Sequence, residues 1–414
     1  MTDGAPQGAR APRRPDMTVA TAGTAPSDSH ASSETTASPP PHDREARLRA
    51  FGQKLDALEK RVRAEVGEHD VKRVKRLDAL SHAMGGMGRV LLVVSVEPIT
   101  FTAGVILLWL HKQLQATEVG HTALHGAYDG LPNAERYQSK SFAWHVPIDE
   151  ASWRYGHNVR HHGSTNVAGK DADIHFGPVR LTEQTPWNRE HAHQLLFTSL
   201  VLFPNFGFLM NLHFTGLNDA YFDNGRDDQL DFLKDRSRES VREAWRKALR
   251  KYVPYYAREY VMWPAIGALV GGPLNAAKVL FGTWLAETMR DVYSAATIFC
   301  GHVASYPAGT QTRSKGDWDA HQVEASQNFE VPLPVSVLCG GLDRQIEHHL
   351  FPRLSPERLR QIAPEVKALC AEHGVAYHTD TWPNVLRKAF SWIGVLSRDH
   401  GAVGGARAAL AAMA

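Results

Sequence analysis

Two apolar stretches, each broken by a turn signal, limit what this chain can fold into more than any other feature. Val90 to Leu110 is interrupted by Glu97-Pro98, and Tyr256 to Cys300 by Gly271-Gly272-Pro273. Proline removes a donor that a continuing helix needs, and glycine supplies backbone angles other residues avoid, so both places read as chain reversals. The first stretch becomes a hairpin of two helices over about 72–125 and the second a hairpin over about 256–302. The apolar parts of the first are short against the ~20 residues of a full span, which tilt or local thinning accommodates. At 1.5 Å per residue, Leu274 to Cys300 makes a helix of about 40 Å, enough to cross a bilayer and project into water. Hairpins return both ends to one face. Lys72, Arg73, Lys75 and Arg76 mark that face as cytosolic under the positive-inside tendency. A third run, Leu195 to Phe214, is broken by Pro204-Asn205. Counted as a crossing it would separate the polar groups on either side of it, so it reads as interfacial or re-entrant.

The rest of the chain frames this base. Residues 1–42 lack the apolar content to bury anything and are expected to be disordered. No apolar run follows Arg10, Arg13 and Arg14, so no signal peptide is expected. Leu48, Phe51, Leu55, Leu58, Val62 and Val66 recur at helical steps and predict an amphipathic helix over 43–80. The polar segment 216–255, with Asp227, Asp228, Asp231 and the basic run up to Arg250, reads as cytosolic and partly helical. Ser355-Pro356-Glu357 opens a soluble helix that ends near His373-Gly374. The Gly/Ala-rich tail 401–414 is expected to be loose. The expected fold class is all-α: an integral membrane base of four helices in two hairpins, under a cytosolic helical cap from 126–255 and 303–400. One membrane domain thus spans 43–400. The 46 Lys+Arg nearly balance the 44 Asp+Glu, giving +2, which excludes a strongly basic nucleic-acid binder. A hydrophobic content of 43% keeps the membrane part a minority of the chain. Cys300, Cys339 and Cys370 form no CxxC pair, so neither a disulfide framework nor a cysteine-held iron–sulfur cluster is encoded.

Histidine is the outlier of the composition. There are 22 in 414 residues, about 5% and roughly double an ordinary share. Three groups stand out: His121 and His125 in HTALH; His157, His161 and His162 in HNVRHH; His348 and His349 in QIEHH. Residues i and i+4 of a helix lie one above the other, so His121/His125 and His157/His161 can each aim two imidazoles at one metal. Neighbours in sequence point about 100° apart, so the doublets suit two ions side by side rather than one. Imidazole suits Zn, Cu, Fe and Ni, so the ligands alone do not choose the metal. HTALH lacks the Glu that a zinc protease places after its first His. Asp129, Asp171, Asp173 and Glu347 lie beside the groups as candidate acceptors for imidazole N–H. His175 is a weaker ligand candidate, while His111, His145 and His213 read as packing residues.

In that order, HTALHG, HNVRHHGSTN and QIEHHLFP resemble the three histidine boxes of the membrane fatty-acid desaturases. The nearest pattern is the branch whose third box opens with Gln, which includes linoleoyl-CoA and front-end types. The resemblance covers roughly 72–380. It implies a di-iron centre whose ligands are His121, His125, His157, His161, His162, His348 and His349. It also implies His302, at the cytosolic end of the fourth helix. Two departures stand out: Gln345 occupies a position often held by His, where its amide could ligate weakly through oxygen or, as favoured here, support the ligands from outside. Ile298 stands one turn before His302, where some relatives have Asn.

The reaction so implied removes two hydrogens from adjacent methylenes of a long acyl chain, using two iron ions, O2 and two electrons. Such C–H bonds have no acidic proton, so no catalytic side chain is expected beyond the ligands. Electrons must come from outside, because the chain has neither a haem motif nor a cysteine cluster. The expected donor is a ferredoxin, rubredoxin or cytochrome b5 with its NAD(P)H reductase. Arg246, Lys247, Arg250 and Lys251 could face it, although a solvated helix face is the favoured reading of that charge run. A di-iron hydroxylase or ketolase acting on lipid, alkane or carotenoid would use the same ligands. The expected location is a multi-pass membrane protein with its site on the cytosolic face.

Overall fold

Two glycines let the first pair of helices touch backbone to backbone. The computed structural model describes residues 41–222, 230–303, 314–401 and 404–412. In it Glu68–Val94 packs along Pro98–Leu114. A Cβ on Gly88 would stand 2.8 Å from the Leu108 nitrogen, and one on Gly104 would stand 3.0 Å from the Leu92 nitrogen. The turn falls where Glu97-Pro98 placed it. Glu97 accepts from the N–H groups of Ile99 at 2.6 Å and Thr100 at 2.7 Å, and Pro98 takes the first helical position, where no donor is missed. Beyond Leu114 the helix widens into a π-helix over Gln115–His121.

The second pair begins with Arg238–Ala257 and passes through a π-turn, Arg258–Met262, into Trp263–His302. That last run reverses at Gly271-Gly272. Gly272 has φ 74° and ψ −170°, a conformation that a side chain would strain. The returning helix then lies against the first pair. A Cβ on its Gly282 would meet Leu92 at 2.6 Å, and Leu92, Val105, Leu108 and Ala286 share a core.

Among the described residues, three helical runs are long and apolar enough to cross a membrane: Glu68–Val94, Arg189–Phe214 and Arg238–His302. The middle one contains the run expected to be interfacial or re-entrant. It is not a regular rod: 3-10 and π segments alternate with α, and Asn205 leaves the helical region at φ −127° and ψ 30°.

Pro41–Glu65 lies on Pro356–His373 through Leu48, Phe51, Leu55, Leu58, Ile362 and Val366. The single helix expected over 43–80 is two, parted at Gly67, whose N–H is taken by Asp70 at 3.1 Å. Pro356–His373 starts and stops as its sequence predicts, with Gly374 at φ 62°. The Ser355 hydroxyl, however, turns to Asp70 at 3.3 Å instead of capping the helix.

Two expectations need correction. The fold is mostly helical but not all-α: Asn328–Glu330 pairs in parallel with Thr379–Thr381. Three-residue strands carry too little alternation to be read from sequence. The tail is not wholly loose either, since Gly405–Ala411 is a helix that buries Ala406. The segment 1–42 lies outside the described residues except for its last two, Pro41 and His42, which begin a helix, and Asp227 and Asp228 lie outside them as well.

Candidate metal centre

All eight histidines singled out from the sequence meet in one place, delivered by four separate elements. His121 closes the π-helix Gln115–His121, and the His125 N–H donates to its carbonyl at 3.1 Å, so the pair keeps helical i,i+4 spacing. His157 and His161 lie in a second π-helix, Arg154–His161, and the His162 N–H reaches back five residues to the His157 carbonyl at 3.0 Å. The wider turn sets both i+4 and i+5 beside i, so His161 and His162 flank His157. His302 ends the long helix, and His348 and His349 sit on Gln345–Leu350.

The rings sort into two groups. One nitrogen from each of His121, His125, His157 and His348 lies within 4.8 Å of the others, and the same holds for His161, His302 and His349. His162 stands between the groups, its ring centre 4.8 Å from those of His125 and His157 and 4.3 Å from that of His349. The His348/His349 doublet is divided between the two groups, whereas of the His161/His162 doublet only His161 belongs to one.

Nitrogens meet nitrogens here without the usual partners. His121 Nε2 and His125 Nε2 approach to 3.1 Å, and His302 Nε2 and His349 Nε2 to 3.3 Å. Nε2 of His157, His161, His162 and His348 is buried with no hydrogen-bond partner. Burial holds His162, His348 and His349 well below the ordinary imidazole value, which keeps them neutral with a free lone pair. Orphaned buried polar atoms are costly and uncommon. Neutral imidazoles of this kind, with lone pairs converging among neighbouring rings, fit borderline transition-metal ions.

The surrounding groups answer the earlier assignments one by one. Asp171, fully buried, accepts from His161 Nδ1 at 2.9 Å and from the N–H groups of Asn166 and Asp173. Burial lowers the His161 imidazole, but the carboxylates of Asp171 and Asp173 outweigh it and carry the group up to about 9. Asp173 lies 3.5 Å from His157 Nδ1 and 3.6 Å from His213 Nε2. Asp129 and Glu347 do not reach an imidazole. Asp129 holds Ser139, and Glu347 holds Asn328 and Tyr377. His175 takes the Gly169 N–H at 2.9 Å and stays out of both groups. His111 pairs with Ser81, His145 packs on His82, and His213 packs among Phe176, Phe214 and Phe232. Gln345 comes closer than expected, its amide 2.6 Å from His302 Nε2 with Oε1 buried and unpartnered. Thr165 and Gln322 bracket His349 Nδ1 at 3.0 and 3.1 Å. Gln322 carried no signal in its local sequence, because a helix 27 residues away supplies it.

A largely apolar cavity opens beside the histidines. Val146, Ile148, Trp153, Phe206, Met210, Phe214 and Phe299 line it, together with His121, His157, His161, His302 and Gln345.

Comparison with known proteins agrees with this chemistry. Residues 98–381 match the family model for fatty acid desaturase. The chain is similar to an NADPH-dependent stearoyl-CoA 9-desaturase of Mycobacterium tuberculosis, 29% identical over 349 residues that cover 82% of this chain and 78% of that protein. It is similar to an sn-1 linoleoyl-lipid 6-desaturase of Synechocystis, at 26% over 68% of this chain and 76% of that protein. Fatty acid desaturase 3 of Bos taurus is 26% identical over 63% of this chain and 53% of its own length.

Proposed function

Because the chain belongs to the fatty acid desaturase family, we propose that it is an O2-dependent oxidoreductase that places a double bond in a long acyl chain. The observation that carries this reading is the convergence of eight imidazoles, several with unpartnered nitrogens, four of which line an apolar cavity. His121, His125, His157 and His348 would hold one iron ion and His161, His302 and His349 the other, with His162 placed to serve between them. What a bound iron pair supplies, with O2 and two electrons, is an oxidant strong enough for unactivated C–H bonds. The chain's own side chains do the rest. Asp171 holds the Nδ1 proton of His161, which leaves Nε2 as the donor atom. Thr165 and Gln322 fix the His349 ring from behind. Gln345, beside His302 Nε2, is positioned to support that half of the centre. Trp153, Phe206 and Phe214 exclude water and hold the methylenes against the histidines.

The two helix pairs would form a four-helix membrane base and the remaining helices a cap on the cytosolic face. The third apolar run would lie along or re-enter the membrane. The donor of electrons would be a separate ferredoxin, rubredoxin or cytochrome b5. The NADPH dependence in the name of the mycobacterial relative supports a nicotinamide-linked source. Expression in a host lacking the activity, followed by mass spectrometry of total fatty acids, tests the reaction. A new site of unsaturation is expected; hydroxy or keto products would instead identify an oxygen-inserting enzyme.

A further inference from the structure

The cavity follows one row of the long helix. His302, Ile298, Ser294 and Arg290 all line it, each four residues from the next. At 1.5 Å per residue the row descends about 18 Å from His302. It ends on ions instead of further apolar side chains. Arg290 is 2% exposed and pairs with Glu287 and with Asp291 Oδ1 at 3.1 Å. Lys112 reaches both Glu287 and Glu259 at 2.8 Å, and the Tyr255 hydroxyl donates to Glu287 at 2.7 Å. The Gly207 N–H pins Asp291 at 3.0 Å. Gly207 also lines the cavity, and a Cβ there would stand 3.1 Å from Arg290 Nη1, so backbone closes over the guanidinium.

We propose that this ion cluster is the end wall of the acyl cavity, and that Arg290 and Ser294 set how many methylenes fit beyond the reacting carbons. The proposal rests on the desaturase reading. A methyl terminus cannot displace a guanidinium held by two carboxylates, because stripping a buried charge of its partners costs far more than burying one methylene returns. A chain extended at about 1.2 Å per bond, descending about 18 Å, runs out after about fifteen bonds. Ser294 is the smallest side chain of the row. It stands one turn above the wall, its hydroxyl 3.2 Å from Gln113 Oε1. A bulky side chain there raises the wall by about 6 Å, the length of roughly five bonds.

The test feeds one culture a mixture of saturated acids of 12 to 20 carbons and reads the ratio of short to long unsaturated products. Ser294→Leu is expected to raise the ratio of 14-carbon to 18-carbon products at least about fivefold. Ile298→Phe, one turn nearer the histidines, is expected to move the optimum shorter still. A variant that merely folds poorly lowers all products together and leaves the ratio alone, so the ratio reads the cavity and not the yield. Double bonds formed by both variants at the unmodified ratio would overturn the end wall. Absence of any double bond from the unmodified enzyme, with a competent donor present, would count against the desaturase reading itself.

Discussion

Among the described residues, two buried polar clusters are built on opposite plans. The ion cluster of Arg89, Lys112, Glu259, Glu287, Arg290 and Asp291 sets every charge against an opposite one and leaves only Nε of Arg89 and of Arg290 unpartnered. Glu259 alone receives Arg89 and Lys112, each at 2.8 Å. The imidazole cluster leaves Nε2 of His157, His161, His162 and His348 unpartnered and sets other nitrogens face to face. Both pay for burial, but only the first recovers it within the chain. A closed network holds helices in register, whereas an open one is complete only with a guest. The contrast separates a structural role from a binding role without reference to any relative.

The sharpest way to break that contrast is to remove one member of each cluster. His161→Ala is expected to abolish desaturation, by more than the 10–100-fold that loss of an outer partner costs a metal site. Iron measured on the purified protein should fall by about one ion per chain, with little change in its melting temperature. Lys112→Met should do the reverse. It removes one partner from each of two buried carboxylates, although Glu259 keeps Arg89 and Glu287 keeps Arg290, and breaking a buried pair costs up to about 3–5 kcal/mol, so the melting temperature in detergent should drop. Full activity in the first variant, or unchanged melting in the second, would erase the distinction.

A milder change probes the border of the open cluster. Asp171→Asn keeps one oxygen, for either the Asn166 N–H that Oδ2 accepts or the Asp173 N–H that Oδ1 accepts, and loses the charge that faces His161. A 10–100-fold loss of iron affinity or turnover is expected. Titrating the metal-free protein with ferrous iron under anaerobic conditions checks it, and wild-type affinity in the variant would remove Asp171 from the metal's support.

The two clusters also differed in how far the sequence exposed them. The imidazoles were legible because their spacing is local: HTALH and HNVRHH each put several rings on one turn. The π-helical widening that lets His161 and His162 both flank His157 was not legible, since it depends on a backbone insertion and not on residue type. Of the four nearby carboxylates, only Asp171 and Asp173 reach imidazoles, because the loop after His162 folds back while Asp129 and Glu347 are claimed by other neighbours. The ion cluster went unread altogether. Lys112, Glu259 and Glu287 come from three helices far apart in sequence, and only helix packing pairs them. A charge at the end of an apolar run is nevertheless a signal, and Lys112 and Arg290 offered it. The turns at Glu97-Pro98 and Gly271-Gly272 were fully legible, because each depends on the conformational limits of its own residues.

The smallest expected effect concerns a third kind of charge cluster, one left in water. Asp380 precedes the helix Trp382–Leu396 and accepts from the Thr381 N–H at 2.7 Å, from Asn384 at 2.9 Å and from Lys388 at 3.0 Å. The Asn384 and Lys388 contacts lower its carboxyl from 3.8 to about 2. A depressed carboxylate contributes stability that is complete above its ordinary value and is lost as pH falls through the folded one. Asp380→Asn should therefore melt slightly below the unmodified protein at about pH 5, and the gap should close as pH falls from about 4 towards 2. Salt should narrow the gap as well, because exposed pairs are screened, whereas the fully buried Lys112–Glu259 contact should show almost no salt response. A gap that stays constant with both pH and salt would mean that Asp380 acts through its shape at the helix start and not through its charge.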